Sequence, residues 1–133
     1  MYYIMTGSAK MNILIAEDNF LNQKIIEVLI KRMGWECRIV NDGIEVVEEC
    51  LKGGYDLILM DIDMPRMDGF EATSIIRSHN INIPIIALTA FTEHYFRDKS
   101  IKAGMNQFLS KPYDKREIYD TIVKCMRKVK VPD

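Results

Sequence analysis

Five short apolar runs, each followed by a stretch with helical spacing, leave this chain few ways to fold. The runs are Asn12 to Ala16, Cys37 to Val40, Asp56 to Met60, Ile85 to Leu88 and Gln107 to Leu109. Each is rich in Ile, Leu or Val and too short for an ordinary helix, so each reads as a strand. After the first run, Leu21, Ile25, Val28 and Leu29 share a helical face, and Gly34 stops that helix. After the second, Asn41 or Asp42 can cap a helix carrying Val46, Val47, Cys50 and Leu51, ended by Gly53-Gly54. A third helix holds Ala72, Ile75 and Ile76, and a fourth runs from about Thr92 to Ala103 before Gly104. The last, from about Lys115 to Val129, turns Ile118, Ile122, Val123 and Met126 inward. Strand and helix in strict alternation predict an α/β fold with a five-stranded parallel sheet, because parallel neighbours need a crossover and that crossover is right-handed. Uninterrupted apolar strands require a sheet covered by helices on both faces.

Length and charge narrow the function classes. The 133 residues suit one domain, and 48% hydrophobic with 28% charged residues suits a folded globular one. Residues 1–10 read as an N-terminal extension, 11–130 as the domain and 131–133 as a tail. Eighteen Lys plus Arg against nineteen Asp plus Glu give a net charge of −1, without the basic excess that nucleic acids or membrane surfaces attract. No apolar run approaches the roughly 18 residues of a membrane span, and the opening MYYIMTGSAK lacks the pattern of a secretory signal. Cys37, Cys50 and Cys125 are odd in number and widely spaced, and only His79 and His94 accompany them. That set argues against a zinc site and for reduced thiols in a cytoplasmic protein. Trp35 and the methionines read as packing residues.

The chemistry collects behind the strands. Glu17-Asp18 follow the first strand, Asp61 the third, Thr89 the fourth and Lys111 the fifth. In a parallel sheet these are all carboxyl ends, so the five residues meet on one edge, where open α/β sheets bind ligands. Three carboxylates so close raise one another's pKa unless a cation offsets them. An all-oxygen cluster favours a hard ion, Mg2+ or Mn2+, over zinc. With the charge of Lys111 and the hydroxyl of Thr89, the set suits handling of a phosphoryl group. A carboxylate can itself be the nucleophile, forming an acyl phosphate.

Four segments carry a resemblance. Ile13-Leu14-Ile15-Ala16-Glu17-Asp18-Asn19, the stretch from Asp56 through Asp61-Ile62-Asp63-Met64-Pro65-Arg66-Met67-Asp68-Gly69, Ala87-Leu88-Thr89-Ala90, and Ala103-Gly104 through Ser110-Lys111-Pro112 resemble the receiver domain of two-component response regulators. The match runs over roughly residues 11 to 129. The resemblance implies the flavodoxin-like strand order 2-1-3-4-5. It implies that Asp61 is the phosphoacceptor. Asp18, Asp61 and the backbone carbonyl of Asp63 would hold Mg2+, with Glu17 acting directly or through water. Thr89 and Lys111 would bind phosphoryl oxygens, Thr89 and Phe108 would form the switch pair, and Pro112 would follow a cis peptide bond. Phe108 lacks the hydroxyl that a tyrosine would offer there.

The donor it implies is the phosphohistidine of a histidine kinase or histidine phosphotransfer protein. A downstream protein partner, or a homodimer, would use the surface of the fourth helix, fifth strand and fifth helix. Asn19 and Asn22 are similar to residues of receivers attached to hybrid kinases or used in phosphorelays. Asp63 and Phe91, two places beyond the acceptor and the threonine, would tune the lifetime of the phosphoryl group, and a bulky Phe91 predicts slow hydrolysis. Neither His79 nor His94 lies at a strand end, and both read as surface residues. Lys124, Arg127, Lys128 and Lys130 form a basic patch that suits the carboxyl end of a helix.

Two rivals are weaker. Asp61-Ile62-Asp63 is also similar to the nucleophile motif of haloacid-dehalogenase-type phosphatases. Those place it on the first strand and add a later acidic pair and a cap. A receiver-like module that binds without being phosphorylated need not keep all five chemical residues, and here all five are present.

Overall fold

The computed structural model describes residues 10–90 and 94–127. Its elements alternate as the apolar runs require: β1 (Asn12–Ala16), α1 (Phe20–Arg32), β2 (Glu36–Val40), α2 (Gly43–Lys52), β3 (Leu57–Asp61), α3 (Gly69–Ser78), β4 (Ile85–Thr89), α4 (His94–Ala103), β5 (Gln107–Ser110) and α5 (Lys115–Arg127). The five strands form one parallel sheet in the order β2-β1-β3-β4-β5. The expected fourth-helix start at Thr92 and fifth-helix end at Val129 lie outside the described residues, as do most of the extension and the tail.

Alternation along each strand sorts the core into two layers. Leu14, Ala16, Ile58, Met60, Ile85 and Ala87 face α2 and α3, meeting Val46, Val47, Cys50, Ala72 and Ile76. Ile13, Ile15, Leu57, Leu59, Ile86 and Leu88 face the other way, onto Ile26 and Ile30 of α1 and Ile118, Ile122 and Met126 of α5. Every residue of β3 and β4 is buried, as central parallel strands must be. Trp35 is buried and stacks on Tyr119 of α5 at 5.8 Å between ring centroids.

Helix starts follow their capping residues. Asn19, Asp42 and Asp68 each accept a hydrogen bond from the backbone N–H three residues on, at 2.9 Å. Gly34 and Gly53 lie at the ends of α1 and α2 with positive φ, where the sequence placed the stops. Two other glycines are needed for close approach. A Cβ on Gly43 would lie 2.2 Å from the Met67 carbonyl oxygen, and one on Gly69 would lie 2.5 Å from that of Asp61. Without side chains there, the loop after β3 closes onto the starts of both α2 and α3.

Two expectations about inward-facing residues fail. Leu21, Ile25 and Val28 of α1 do not face the core. Leu21 is 66% exposed, and Ile25 and Val28 are each 46% exposed. The buried residues of α1 are Ile26 and Ile30, with Leu29 half-buried beside them. Helix α1 carries two apolar stripes, and the one at Leu21, Ile25 and Val28, with Phe20 at its start, points to solvent. Leu51 of α2 is likewise exposed rather than inward. In a urea titration, Ile30→Ala is expected to cost about 2–5 kcal/mol of folding stability. Leu21→Ala is expected to stay within about 0.5 kcal/mol of the parent.

Candidate functional site

Strand order dictates where the polar residues land. Glu17 and Asp61 close the neighbouring strands β1 and β3, Thr89 ends β4, and Lys111 follows β5. A backbone hydrogen bond of 2.6 Å from Lys111 N–H to the Thr89 carbonyl ties the last two ends together. The Lys111-Pro112 bond is cis, as the resemblance implied. All five residues expected at the edge line one cavity of about 270 Å³, with Asn19, Asn22, Asp63 and Ala90 completing its wall.

Glu17, Asp18 and Asp61 offer carboxylate oxygens that lie within 4.8 Å of one another. Glu17 and Asp61 are buried, whereas Asp18 is exposed. Lys111 Nζ sits 3.0 Å from Glu17 Oε1 and 3.4 Å from Asp61 Oδ2. The Asp63 backbone N–H donates to Asp61 Oδ1 at 3.2 Å, which orients that carboxylate, while the Asp63 side chain points to solvent. The Asn19 N–H donates to Glu17 Oε2 at 3.2 Å, so the residue that caps α1 also fixes a site carboxylate.

These surroundings divide the acids. Burial raises the Asp61 carboxyl to about 7, and the hydrogen bond shared with Glu17 and the charge of Glu17 push the same way. Burial also acts to raise Glu17, but the hydrogen bonds from Asp61 and Lys111 outweigh it and hold Glu17 below the usual range. Asp18 is raised, first by burial and then by Glu17. Desolvation opposes charge on Lys111, yet the two carboxylates overcome it and hold the ammonium on. Among the described residues, Glu17, Asp18 and Asp61 thus face the ammonium of Lys111. The all-oxygen donor set, with a buried carboxylate kept from full ionisation, suits a hard divalent ion.

Sequence reasoning named Glu17, Asp18, Asp61, Asp63, Thr89 and Lys111 for the site, and it read Asn19 and Asn22 as marks of receiver type rather than as cavity walls. It missed two supports. Gln23, one turn beyond the cap of α1, donates to the Glu17 carbonyl at 2.5 Å and to Asn41 Oδ1 at 2.8 Å. Tyr113 is half-buried beside a second, mostly apolar hollow of about 350 Å³, lined also by Asn22, Ile25, Ala90, Lys111 and Pro112. The exposed apolar stripe of α1 was the available signal for that hollow, and it was assigned to the core instead. Phe108 is half-buried on β5, with the Arg97 guanidinium 5.9 Å from its ring centroid. Phe91 lies outside the described residues, and His94 opens α4. His79 is exposed at the far end of α3 from the site. Of the basic patch, Lys124 and Arg127 are exposed, while Lys128 and Lys130 lie outside the described residues.

Known proteins share this arrangement. The family model of the response regulator receiver domain matches residues 13–123. Hybrid signal transduction histidine kinase B of Dictyostelium discoideum is 43% identical over 125 residues, covering 84% of this chain and 6% of the kinase. The receiver domain of a sensor histidine kinase from Pseudomonas aeruginosa PAO1, solved with a magnesium ion coordinated in its active-site cleft, superposes with a TM-score of 0.83 at 38% identity. That comparison covers 89% of this chain and 98% of the other. A receiver domain of Saccharomyces cerevisiae, co-crystallised with the histidine phosphotransfer signalling protein upstream of it, gives a TM-score of 0.86 at 28% identity over 93% and 94% of the two chains. With the sheet order and the acid-lined edge already in place, these matches show that the chain belongs to the receiver-domain family of two-component and phosphorelay signalling proteins.

Proposed function

We propose that residues 11–130 form a receiver that accepts a phosphoryl group on Asp61 from a partner's phosphohistidine, using Mg2+, with Mn2+ able to substitute. The observation that carries this reading is the position of Asp61. It is a buried carboxylate at the centre of the edge, 3.4 Å from the Lys111 ammonium and within reach of Glu17 and Asp18. Asp18, Asp61 and the backbone carbonyl of Asp63 would hold the cation, with Glu17 acting directly or through water. When bound, that cation supplies positive charge against the acids and the phosphoryl oxygens.

The chain's own residues do the rest. Lys111 neutralises an equatorial oxygen of the transferring group, and the Thr89 hydroxyl donates to another. The Asp63 N–H holds the attacking carboxylate in place. An Asp61 oxygen forms the new bond to phosphorus as the bond to the donor's imidazole nitrogen breaks. The domain thereby assists its own phosphorylation and its later hydrolysis without being an enzyme of independent turnover. Phe91, two places beyond Thr89 in the sequence, would slow that hydrolysis if it acts as the resemblance implies. As Thr89 moves to the phosphoryl oxygen, Phe108 turns inward and the α4–β5–α5 surface changes for a downstream partner or a second copy.

The donor fits beside the site. Phe20, Leu21, Ile25 and Val28 present apolar surface on α1, and Ile25 also lines the apolar hollow next to the acid pocket. A stripe of that kind on a monomer marks a protein interface. A histidine phosphotransfer protein, or the corresponding domain of a kinase, suits it, and a receiver domain similar to this one is co-crystallised with such a protein. Among the described residues no helix is long and apolar enough to cross a membrane. Among the described residues Cys37, Cys50 and Cys125 form no disulfide, and we place the domain in the cytoplasm.

Three outcomes test this reading. Asp61→Asn is expected to abolish incorporation of label from both a phosphohistidine donor and acetyl phosphate, and retained labelling would exclude Asp61 as the acceptor. Leu21→Lys combined with Ile25→Lys is expected to cut transfer from a donor protein at least tenfold while leaving acetyl phosphate labelling unchanged, about 1.4 kcal/mol of docking energy. Equal loss with both donors would place the defect in the pocket instead. The third outcome follows from protonation. Asp61 is raised from 3.8 to about 7 in the fold, so its burial is tolerated at low pH and costs stability as pH rises through that window. Metal-free Asp61→Asn is therefore expected to melt a few degrees above the parent at alkaline pH. The gap should close toward acid pH and narrow when Mg2+ is added, as scanning calorimetry can read.

A further inference from the structure

We infer that Arg66 is a positioning residue for the acid pocket, holding the loop that carries Asp63 against the start of α2 through its pairing with Asp42. The inference rests on the proposed role of the Asp63 carbonyl toward the cation. Nothing in the chemistry of the pocket itself calls for an arginine at this place.

Asp42 is 5% exposed and uses its two oxygens on different elements. Oδ1 accepts the Glu45 N–H at 2.9 Å and so caps α2. Oδ2 accepts from Arg66 Nε at 2.7 Å, across 24 residues of sequence. The arginine side chain acts first among the influences that hold Asp42 below the usual carboxylate range, and its own guanidinium is raised in return. The charges of Glu45 and Glu48, also on α2, act on the same guanidinium in the same direction as Asp42.

The loop is held by its backbone as well. The Gly43 N–H donates to the Met67 carbonyl at 3.0 Å, and the absence of a Cβ on Gly43 permits that contact. Arg66 itself has φ +65, a conformation that a side-chain-bearing residue resists. A glycine would adopt it without strain, yet an arginine stands there, and its side chain makes the short ion pair with Asp42. Three residues earlier in the same loop, Asp63 donates its N–H to Asp61. A loop free to lift from α2 would carry the Asp63 backbone with it, and Mg2+ tolerates displaced ligands poorly because it demands near-octahedral geometry.

The test is titration of the metal-free protein with MgCl2 by calorimetry, with a melting curve for each variant. Arg66→Ala is expected to bind Mg2+ about tenfold more weakly, the lower end of the loss seen when a group supporting a metal ligand is removed. Arg66→Gly separates positioning from stability. It relieves the positive-φ strain, so its melting temperature should stay near the parent's, while its Mg2+ affinity falls as in Arg66→Ala. Arg66→Lys should recover part of the affinity. Asp42→Asn combined with Arg66→Ala should bind no more weakly than the weaker single variant, because the two act as one unit. If Arg66→Ala and Arg66→Gly both titrate like the parent, the inference is wrong while the metal reading stands. A parent protein that binds no Mg2+ overturns both.

Discussion

The rest of the structure answers to one electrostatic fact: among the described residues, the carboxylates of Glu17, Asp18 and Asp61 share an edge of the sheet with Lys111. The parallel arrangement makes this unavoidable, since every strand delivers its carboxyl end to the same side. Read across the sheet, the ends run Glu17, Asp61, Thr89 and Lys111, following β1, β3, β4 and β5. Lys111 reaches back over two intervening strands to touch Glu17 at 3.0 Å. Its ammonium therefore binds the outer acid most closely and leaves the central one, Asp61, only partly compensated at 3.4 Å. A protein selected for stability alone would bury a leucine there. An incompletely neutralised acid in a desolvated cleft is what a cation and a dianionic group can satisfy together.

Much of this was legible in the amino-acid order, for a physical reason. Strands covered on both faces must be apolar throughout, so five such runs stand out, and the residue that breaks each run marks the edge. The cap of α2 at Asp42, one of two candidates with Asn41, is legible too, because a helix needs an acceptor where its first N–H groups lack partners. The inward face of α1 was not legible. Periodicity detects apolar stripes, and α1 has two of them; which one meets the sheet depends on packing, not spacing. Ile26 and Ile30 prevail because they meet Ile13, Ile15, Leu57 and Leu59. The Asp42–Arg66 pair was equally hidden, since nothing local in either segment announces a partner 24 residues away.

The two sides of the sheet are built for different tasks. The layer of α2 and α3 closes tightly on the loop after β3, with backbone bonds and an ion pair fixing it. The layer of α1 and α5 keeps apolar surface in reserve, at Phe20, Leu21, Ile25 and Val28. A bonded flank beside the acid cluster and a flank with exposed apolar side chains thus lie on either side of one edge. The exposed stripe is short and rimmed by Lys24, Glu27 and Lys31, two of which pair with Glu27 at 3.7 and 3.9 Å. Those rim charges would favour a transient encounter over a lasting complex.

Gly69 shows how little latitude this edge has. The first residue of α3 is drawn so near to β3 that a methyl group on it would meet the carbonyl of Asp61 at 2.5 Å. Any heavier side chain must shift either the helix or the reactive strand end, and both support the same cluster. Even an alanine, which alters no charge and removes no acid, must therefore displace one of the two parts that set the spacing of the cluster.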